Sequence, residues 1–304
     1  MSVKAQILSH TAPPRPSTGA REDTYRLSGH SGAHLLLIRR DGRHVVRKSA
    51  GSPAKNERLL AQAELQRQFL FSGVPVPQVF ESGVDETGHA YFEMDYIPGQ
   101  TLAAVIAEAR PFDLEPVEKA LARLFGFLRL TVSGTIAPDA FTAKLAQIAA
   151  CNSEICRSFH AEIAEAAARL TAADWSGIPQ SVGHGDLTLE NILVSPERGV
   201  MFIDCDSCFA SSCWLDAGKL FQDLAGHWCL RALYRQPGAA LVNAVQQLDV
   251  LKAPLRRLAS EMDAALPSRL SQFAAFHLMR TLPYTHDAAT ARFVLDRLAR
   301  VLAP

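Results

Sequence analysis

Three oxygen-bearing side chains in the second half of the chain have the types and the spacing that phosphoryl transfer requires. Asp186 follows His184 and Gly185, and Asn191 is five residues beyond that aspartate. Two short apolar stretches separated by a turn then lead to Asp204. One carboxylate of such a set can orient an acceptor hydroxyl and take its proton, while hard oxygen ligands hold Mg²⁺ against phosphate groups. The segment therefore predicts a phosphoryl-transfer centre.

The residues between Asn191 and Asp204 predict the hairpin that brings these side chains together. Residues 192–194 and 200–203 are apolar and strand-sized, and the Ser-Pro-Glu-Arg-Gly sequence between them is typical of a turn. A surface loop that contains two aspartates and an asparagine by coincidence is the alternative interpretation. The apolar hairpin that ends on the second aspartate argues against that alternative.

The segment from His184 to Asn191 resembles the H-G-D-x-x-x-x-N motif of the small-molecule kinases that include aminoglycoside phosphotransferases and choline kinases. Their motif corresponds to the H-R-D-x-x-x-x-N loop of protein kinases. The resemblance implies that Asp186 is the catalytic base, that Asn191 and Asp204 bind Mg²⁺, and that His184 holds the loop. It also implies ATP as the phosphate donor and a protein-kinase-like α+β fold of two lobes.

The rest of the chain has the element pattern that such a fold needs. A small antiparallel sheet lobe is predicted from strand patterns at residues 25–28, 34–40, 43–48 and 90–97, with an extended segment after residue 77 and one helix at 54–71. Beyond Gly99 the patterns are mainly helical, at 101–110, 114–131, 139–150, 152–173 and from 213 onward. We predict an N-terminal arm at 1–22, a nucleotide-binding lobe at 23–97 and a catalytic and substrate-binding lobe at 98–304.

Two charged residues of the first lobe are candidates for the nucleotide site. In a kinase-like lobe, a lysine of the third strand contacts phosphate and pairs with a glutamate of the following helix. Lys48 lies in the third predicted strand and Glu64 lies in the middle of the predicted helix, so we assign the pair to them. Glu57 is the competing glutamate, and two solvated surface charges are the alternative reading of the pair.

The remaining predicted ATP contacts are backbone sites. Gly29, Ser31 and Gly32 form a turn between the first two strands, and glycines let backbone N–H groups approach the phosphates closely. An ordinary hairpin turn explains the same residues equally well. The stretch that contains Asp95 and Ile97 resembles the family's interlobe hinge, which implies that adenine bonds to its backbone.

Two further aspartates follow Asp204. Asp206 is two residues beyond it and is open to three interpretations, namely a metal contact, a substrate contact and a solvated side chain. Asp216 resembles the family's downstream aspartate that anchors the catalytic loop, which implies a structural role at the start of a helix.

Composition excludes several other classes of function. Thirty-one Lys and Arg balance thirty-one Asp and Glu, so the chain lacks the basic excess of a general nucleic-acid binder. Its start has no apolar run typical of a signal peptide, and no stretch predicts a membrane span. Cys205 and Cys208 form a C-x-x-C without the second ligand pair of a zinc site. Reduced thiols and a cytoplasmic location are the simplest expectation, and the sequence leaves the oligomeric state open.

The acceptor is predicted to be a small-molecule hydroxyl whose charge the sequence leaves open. A cationic aminoglycoside calls for clustered carboxylates, a choline-like acceptor calls for an aromatic cage, and a sugar or polyol needs no special signature. Candidates for a cage are Trp214, Trp228, Tyr234 and Tyr284. Candidates for binding an anionic acceptor are His227, Arg231, His277 and Arg280.

Two alternatives to a small-molecule kinase remain. The first is a protein kinase, but the chain lacks an obvious Ala-Pro-Glu segment and a long activation loop after Asp204. The second is a nucleotide-binding pseudokinase that acts as an interaction module. Retention of Lys48, Asp186, Asn191 and Asp204 argues against it.

Overall fold

The computed structural model describes residues 25–27, 33–40, 42–206 and 210–303. The predicted N-terminal arm, the turn containing Gly29, Ser31 and Gly32, and Cys208 lie outside these residues. Within the described ranges, no helix has both the length and the apolar character needed to cross a membrane.

A five-stranded antiparallel sheet forms the N-terminal lobe, as the strand patterns predicted. The strands are β1 (Tyr25–Leu27), β2 (His34–Arg40), β3 (Arg43–Ser49), β4 (Val79–Val84) and β5 (Ala90–Asp95). Their order across the sheet is β1-β2-β3-β5-β4. Helix α1 (Asn56–Phe71) joins β3 to β4 and packs on β4 and β5. Alternation along β3 places Val46 and Lys48 on the same buried face of the sheet.

The C-terminal part is mainly helical. Its longer helices are α3 (Leu114–Leu130), α4 (Pro138–Ala149), α6 (His160–Thr171), α7 (Cys213–Gly226), α8 (Ala239–Met262), α9 (Leu266–Met279) and α10 (Ala288–Val301). Two short helices are α2 (Leu102–Ala107) and α5 (Glu154–Ser158). The single helix predicted at 152–173 is wrong, because Phe159 leaves helical geometry between α5 and α6 and buries its ring in the core.

The predicted catalytic hairpin is present in the helical lobe. It consists of β9 (Ile192–Ser195) and β10 (Gly199–Phe202), and Ile192 is paired with Phe202. The two-residue strand β6 (Gln100–Thr101) follows the sheet lobe in the chain and pairs with β9. This pairing connects the sheet lobe to the hairpin. Another short pair is formed by β7 (Gly134–Thr135) and β8 (Pro179–Gln180).

Helix α7 is the central support of the catalytic segment. Twelve of its residues are buried, and it packs mainly against α9 and α8. Its polar residues Asp216 and Asp223 are buried among apolar neighbours, at 2% and 0% exposure. Buried carboxylates need hydrogen-bond donors, and the predicted catalytic loop, residues 184–191, supplies three of them.

Candidate active site

The catalytic loop is folded by its own short-range hydrogen bonds. The Thr188 N–H donates to the Asp186 carbonyl oxygen at 2.8 Å, and the Asn191 N–H donates to the Thr188 carbonyl oxygen at 2.9 Å. Asn191 Nδ2 also donates to the Asp186 carbonyl oxygen at 2.8 Å and to its Oδ2 at 2.9 Å. The i and i+5 positions of the motif are therefore in direct contact.

Two buried carboxylates of α7 accept hydrogen bonds from backbone N–H groups of this loop. Asp216 accepts from the backbone N–H groups of His184 at 2.6 Å and Gly185 at 2.8 Å. Asp223 accepts from those of Leu189 at 2.7 Å and Cys229 at 3.0 Å. Burial raises the pKa of each carboxyl to about 7 even though these N–H donors favour the ionised form. The implied structural role of Asp216 agrees with these contacts, whereas sequence reasoning missed Asp223.

The loop also requires glycine at one position. Gly185 has a φ of +83°, in the region that favours glycine. A Cβ atom on Gly185 would overlap the backbone carbonyl oxygen of Asp206. The Asp206 N–H in turn donates to the His184 carbonyl oxygen at 2.7 Å. The catalytic loop and the segment after β10 therefore lie too close for any other residue.

Asp204 joins the two lobes at the site. It follows β10 with a φ of +60°, an uncommon conformation for a residue other than glycine. The Ile203 N–H donates to the Asn191 carbonyl oxygen at 3.0 Å, which places Asp204 beside the catalytic loop. Lys48 Nζ donates to Asp204 Oδ1 at 2.5 Å. The structure thus brings Lys48, Asp186, Asn191 and Asp204 into one site.

The predicted pairing of Lys48 with Glu64 is not formed. Glu64 lies on the exposed side of α1, with a side chain 61% exposed, and its partner is Arg67 at 3.6 Å. Glu57 is exposed as well. Lys48 Nζ instead donates to Gln62 Oε1 at 2.9 Å. Two residues along a helix correspond to about 200°, so Gln62 and Glu64 point to nearly opposite sides.

Gln62 connects the lysine to the segment that follows Asp204. Its Nε2 donates to Asp206 Oδ1 at 2.9 Å while its Oε1 accepts from Lys48. Arg58, one turn earlier on α1, donates Nε to Asp206 Oδ1 at 2.9 Å and forms an ion pair with it. Asp206, which the sequence left undecided, is therefore tied to α1. A neutral amide suits position 62 because it can serve a cation and a carboxylate at once.

The variant Gln62→Leu is expected to destabilise the fold, and Glu64→Gln is not. Leucine conserves most of the volume but removes both bonds, leaving Lys48 buried with one partner fewer, at a cost of about 1–3 kcal/mol. The apparent affinity for ATP should fall with it. Urea unfolding and nucleotide titration of both variants check this. If Glu64→Gln lowered stability and ATP affinity as much as Gln62→Leu does, Glu64 would have to be considered a partner of Lys48 again.

The other predicted nucleotide contacts are placed as follows. Asp95 ends β5, and its N–H donates to the Gln78 carbonyl oxygen at 2.9 Å. Ile97 is buried in a small apolar cluster with Leu193 and Met201, so it links the connection between the lobes to the catalytic hairpin. Gly29, Ser31 and Gly32 lie outside the described residues.

Lys219 is a site residue that the sequence analysis missed. Its Nζ lies 3.3 Å from Asp186 Oδ1. Burial acts to raise the pKa of Asp186, but the charge of Lys219, the nearby His184 and the hydrogen bonds from Lys219 and Asn191 together outweigh it, so the pKa lies below its ordinary value. The available signal was helical spacing: Asp216, Lys219 and Asp223 are three and four residues apart on α7, so they share one face. All three side chains on this face contact the predicted catalytic loop.

His184 lies under the loop, fully buried, with its ring edge-on to Phe202 at 6.1 Å between centroids. Burial lowers the pKa of His184 to about 4, so the ring is neutral near pH 7. A neutral, enclosed imidazole is placed to support the loop, and its packing agrees with the structural role that the resemblance implied.

The aromatic residues considered for a cage are dispersed. Trp214 is buried in the core against Phe273. Tyr234 packs on Phe293 and its hydroxyl bonds His227 Nδ1 at 2.6 Å. These contacts use both rings for packing. Trp228 and Tyr284 line one cavity of the helical lobe, so only two of the four candidates share a space.

The donor chemistry of the site fits Mg²⁺. Asn191 uses Nδ2 for its bonds to Asp186, which leaves the harder ligand, Oδ1, for a cation. Asp204 uses Oδ1 for Lys48 and keeps its second carboxylate oxygen. Over the residues that are described, no cluster of three or more His, Cys, Asp or Glu forms a candidate metal site. Mg²⁺ bound to phosphates needs only one or two carboxylate-type ligands from the protein.

Comparisons with known proteins place the chain in a family. The family model described as the phosphotransferase enzyme family, APH, matches residues 17–258. A search of curated protein sequences finds no significant match.

Solved structures share the fold at low sequence identity. A thermostable mutant of aminoglycoside phosphotransferase APH(4)-Ia, in a ternary complex with ADP and hygromycin B, is 16% identical over 93% of this chain and 95% of that one, with a TM-score of 0.60. An aminoglycoside-3'-phosphotransferase of type VIII is 18% identical over 98% and 100%, with a TM-score of 0.51. Because the family model matches most of its length, this chain belongs to the phosphotransferase enzyme family.

Proposed function

We propose that this protein transfers the γ-phosphoryl group of ATP to a hydroxyl group of a small molecule. The observation that supports the proposal most strongly is the convergence of Lys48, Asp186, Asn191 and Asp204 from separate elements of both lobes. Neighbouring structures with ADP or AMP-PNP, and with the small molecule hygromycin B, support a nucleotide donor and a small acceptor.

The residues of this chain have distinct parts in the proposed reaction. Lys48 contacts the phosphates of ATP, and its ion pair with Asp204 fixes the position of both side chains. Asn191 and Asp204 would hold Mg²⁺, which would offset the negative charge that develops on the phosphates. Gln62 keeps the lysine oriented from α1. These residues position the donor and leave the acceptor side to the loop.

Asp186 is the proposed base. The acceptor hydroxyl oxygen bonds to the γ-phosphorus, and the bond between that phosphorus and the β,γ-bridging oxygen breaks to release ADP. The hydroxyl proton passes to Asp186 and then to solvent. Lys219 and Asn191 keep the carboxylate ionised and oriented toward the acceptor.

Phosphate transfer in the presence of Mg²⁺ tests the proposal. With ATP and a library of hydroxyl compounds, mass spectrometry should detect a product heavier by one phosphoryl group, and EDTA should abolish it. Thermal unfolding with ATP should show a larger upward shift with Mg²⁺ than without. Transfer to proteins alone would favour a protein kinase. Absence of both turnover and a magnesium effect would favour a pseudokinase.

A further inference from the structure

A large cavity opens beside the catalytic loop in the helical lobe. Its volume is about 910 Å³, the size that a small-molecule ligand occupies. Two of its lining residues contact the loop directly. Lys219 Nζ lies 3.3 Å from Asp186 Oδ1, and Arg231 Nη1 donates to Glu190 Oε1 at 3.1 Å. The cavity wall therefore includes a side chain, that of Lys219, which contacts the proposed base.

The cavity wall is strongly basic. Among its described lining residues are five Lys or Arg side chains and a single carboxylate. The cations are Lys144, Lys219, Arg231, Arg235 and Arg280, the carboxylate is that of Asp287, and two histidines, His277 and His286, are among the other polar lining residues. We call this space the basic cavity. The whole chain is electrically balanced, so the cluster is a local feature that net charge conceals.

Three of these cations have carboxylate partners. Arg235 pairs with Asp287 at 3.0 Å, and the partners of Arg231 and Lys219 belong to the catalytic loop. Lys144 bonds only a neutral amide, Gln147 Oε1 at 2.8 Å, among the contacts described. Among the described residues, the five cations of the wall therefore face three carboxylates, those of Asp186, Glu190 and Asp287.

The buried His277, which lines the cavity, is affected by the same positive charges. His277 is buried, its Nε2 lies 2.9 Å from the Leu215 carbonyl oxygen, and its Nδ1 is 3.3 Å from Arg280 Nη1. Burial holds the pKa of His277 well below its ordinary value, and the charges of Lys219 and Arg280 lower it further. The ring therefore stays neutral near pH 7. The described positive charge of the wall is carried by its lysines and arginines.

We propose that the basic cavity binds an acceptor that carries an oxyanion, a phosphate or a carboxylate, and presents its hydroxyl to Asp186. This inference rests on the proposed function. Guanidinium groups bind such oxyanions through charge-assisted, often bidentate hydrogen bonds. A polycationic acceptor of the aminoglycoside type would instead meet a wall whose described cations outnumber the carboxylates that contact them. The solved neighbours share the fold of this chain. The charge of this cavity wall favours an acceptor of a different class from their aminoglycosides.

Matched acceptors that differ in charge test the inference. Glucose, glucose 6-phosphate and gluconate form one series, glycerol, glycerol 3-phosphate and glycerate form a second, and kanamycin is the cationic probe. We expect kcat/KM to be at least tenfold higher for an anionic member than for its neutral counterpart. The phosphate and carboxylate arms identify which oxyanion the cavity prefers. A preference for neutral or cationic members, with transfer intact, would overturn the inference and leave the proposed function standing.

Substitutions in the wall give the second test. Arg280→Gln and Lys144→Gln should each reduce the ratio of kcat/KM between the anionic and neutral members by about tenfold. Using the ratio cancels any general loss of catalysis. Arg123→Gln removes an exposed positive charge from α3, which does not line the cavity, and should leave the ratio unchanged. An unchanged ratio in both wall variants would contradict the inference.

A binding measurement keeps the two proposals separable. Glucose 6-phosphate should raise the unfolding temperature of the protein more than glucose does, and Arg280→Gln should reduce that difference. Such binding without any phosphate transfer would sustain the anionic cavity and sink the proposed function. Transfer without this selective binding would sink the anionic cavity alone.

Discussion

Asp186→Asn is expected to lower turnover by about 10²–10⁴-fold, the usual contribution of a general base. Asparagine has nearly the same shape and can still accept a hydrogen bond from Asn191 Nδ2, as the Asp186 carboxylate does at 2.9 Å. It has no carboxylate with which to take the hydroxyl proton. The side chain is 43% exposed, so the loop should fold normally. The measurement is kcat for phosphate transfer under saturating ATP.

Nucleotide affinity separates loss of the base from loss of the site. Lys48 and Asp204 bond each other without involving Asp186, so the dissociation constant for ATP with Mg²⁺ should change less than threefold. Asp139→Asn, at an exposed position in the first turn of α4, makes the same chemical change away from the loop and should leave turnover within twofold. Full turnover in Asp186→Asn would remove the residue from its proposed role.

The motif and the element order could be predicted because they are local. Strand alternation gave β2 and β3 within one residue, and the hairpin that ends near Asp204 was predicted from a short stretch of sequence. Such features depend on neighbours in the chain. The resemblance then supplied the fold, since the H-G-D-x-x-x-x-N pattern fixes which elements must surround it.

The failures concern side chains that meet across lobes. Gln62 and Glu64 lie in the same helix, and the choice between them depends on how α1 is rotated against the sheet and against Asp206. A weak amphipathic pattern in α1 does not determine that rotation. The basic cavity was found only in part: Arg231, His277 and Arg280 were candidates for an anionic acceptor, whereas Lys144, Lys219 and Arg235 come from three other helical segments, and no local pattern gathers them.

Gly185→Ala is expected to be the most damaging small substitution in the catalytic loop. Two effects act at this position, namely a φ of +83° that costs an alanine about 1–2 kcal/mol and a Cβ that would overlap the Asp206 carbonyl oxygen. Relieving the overlap must move either the loop or the segment after Asp204. Overpacking of this kind costs a further 1–3 kcal/mol or so. Turnover should fall by about 100-fold, since a shift of about 1 Å in a positioned group has that effect.

Gly199→Ala is the matched control for this prediction. Gly199 is the first residue of β10 and has a φ of +71°, and nothing lies within 4 Å of the added Cβ. It therefore has the backbone cost without the overlap. Urea unfolding should show Gly185→Ala to be the less stable of the two, and only that variant should lose turnover. If both variants lost the same stability and kept activity, the contact between the loop and Asp206 would be dispensable. The close approach would then be a consequence of the fold and would have no part in aligning Asp186 with Asp204.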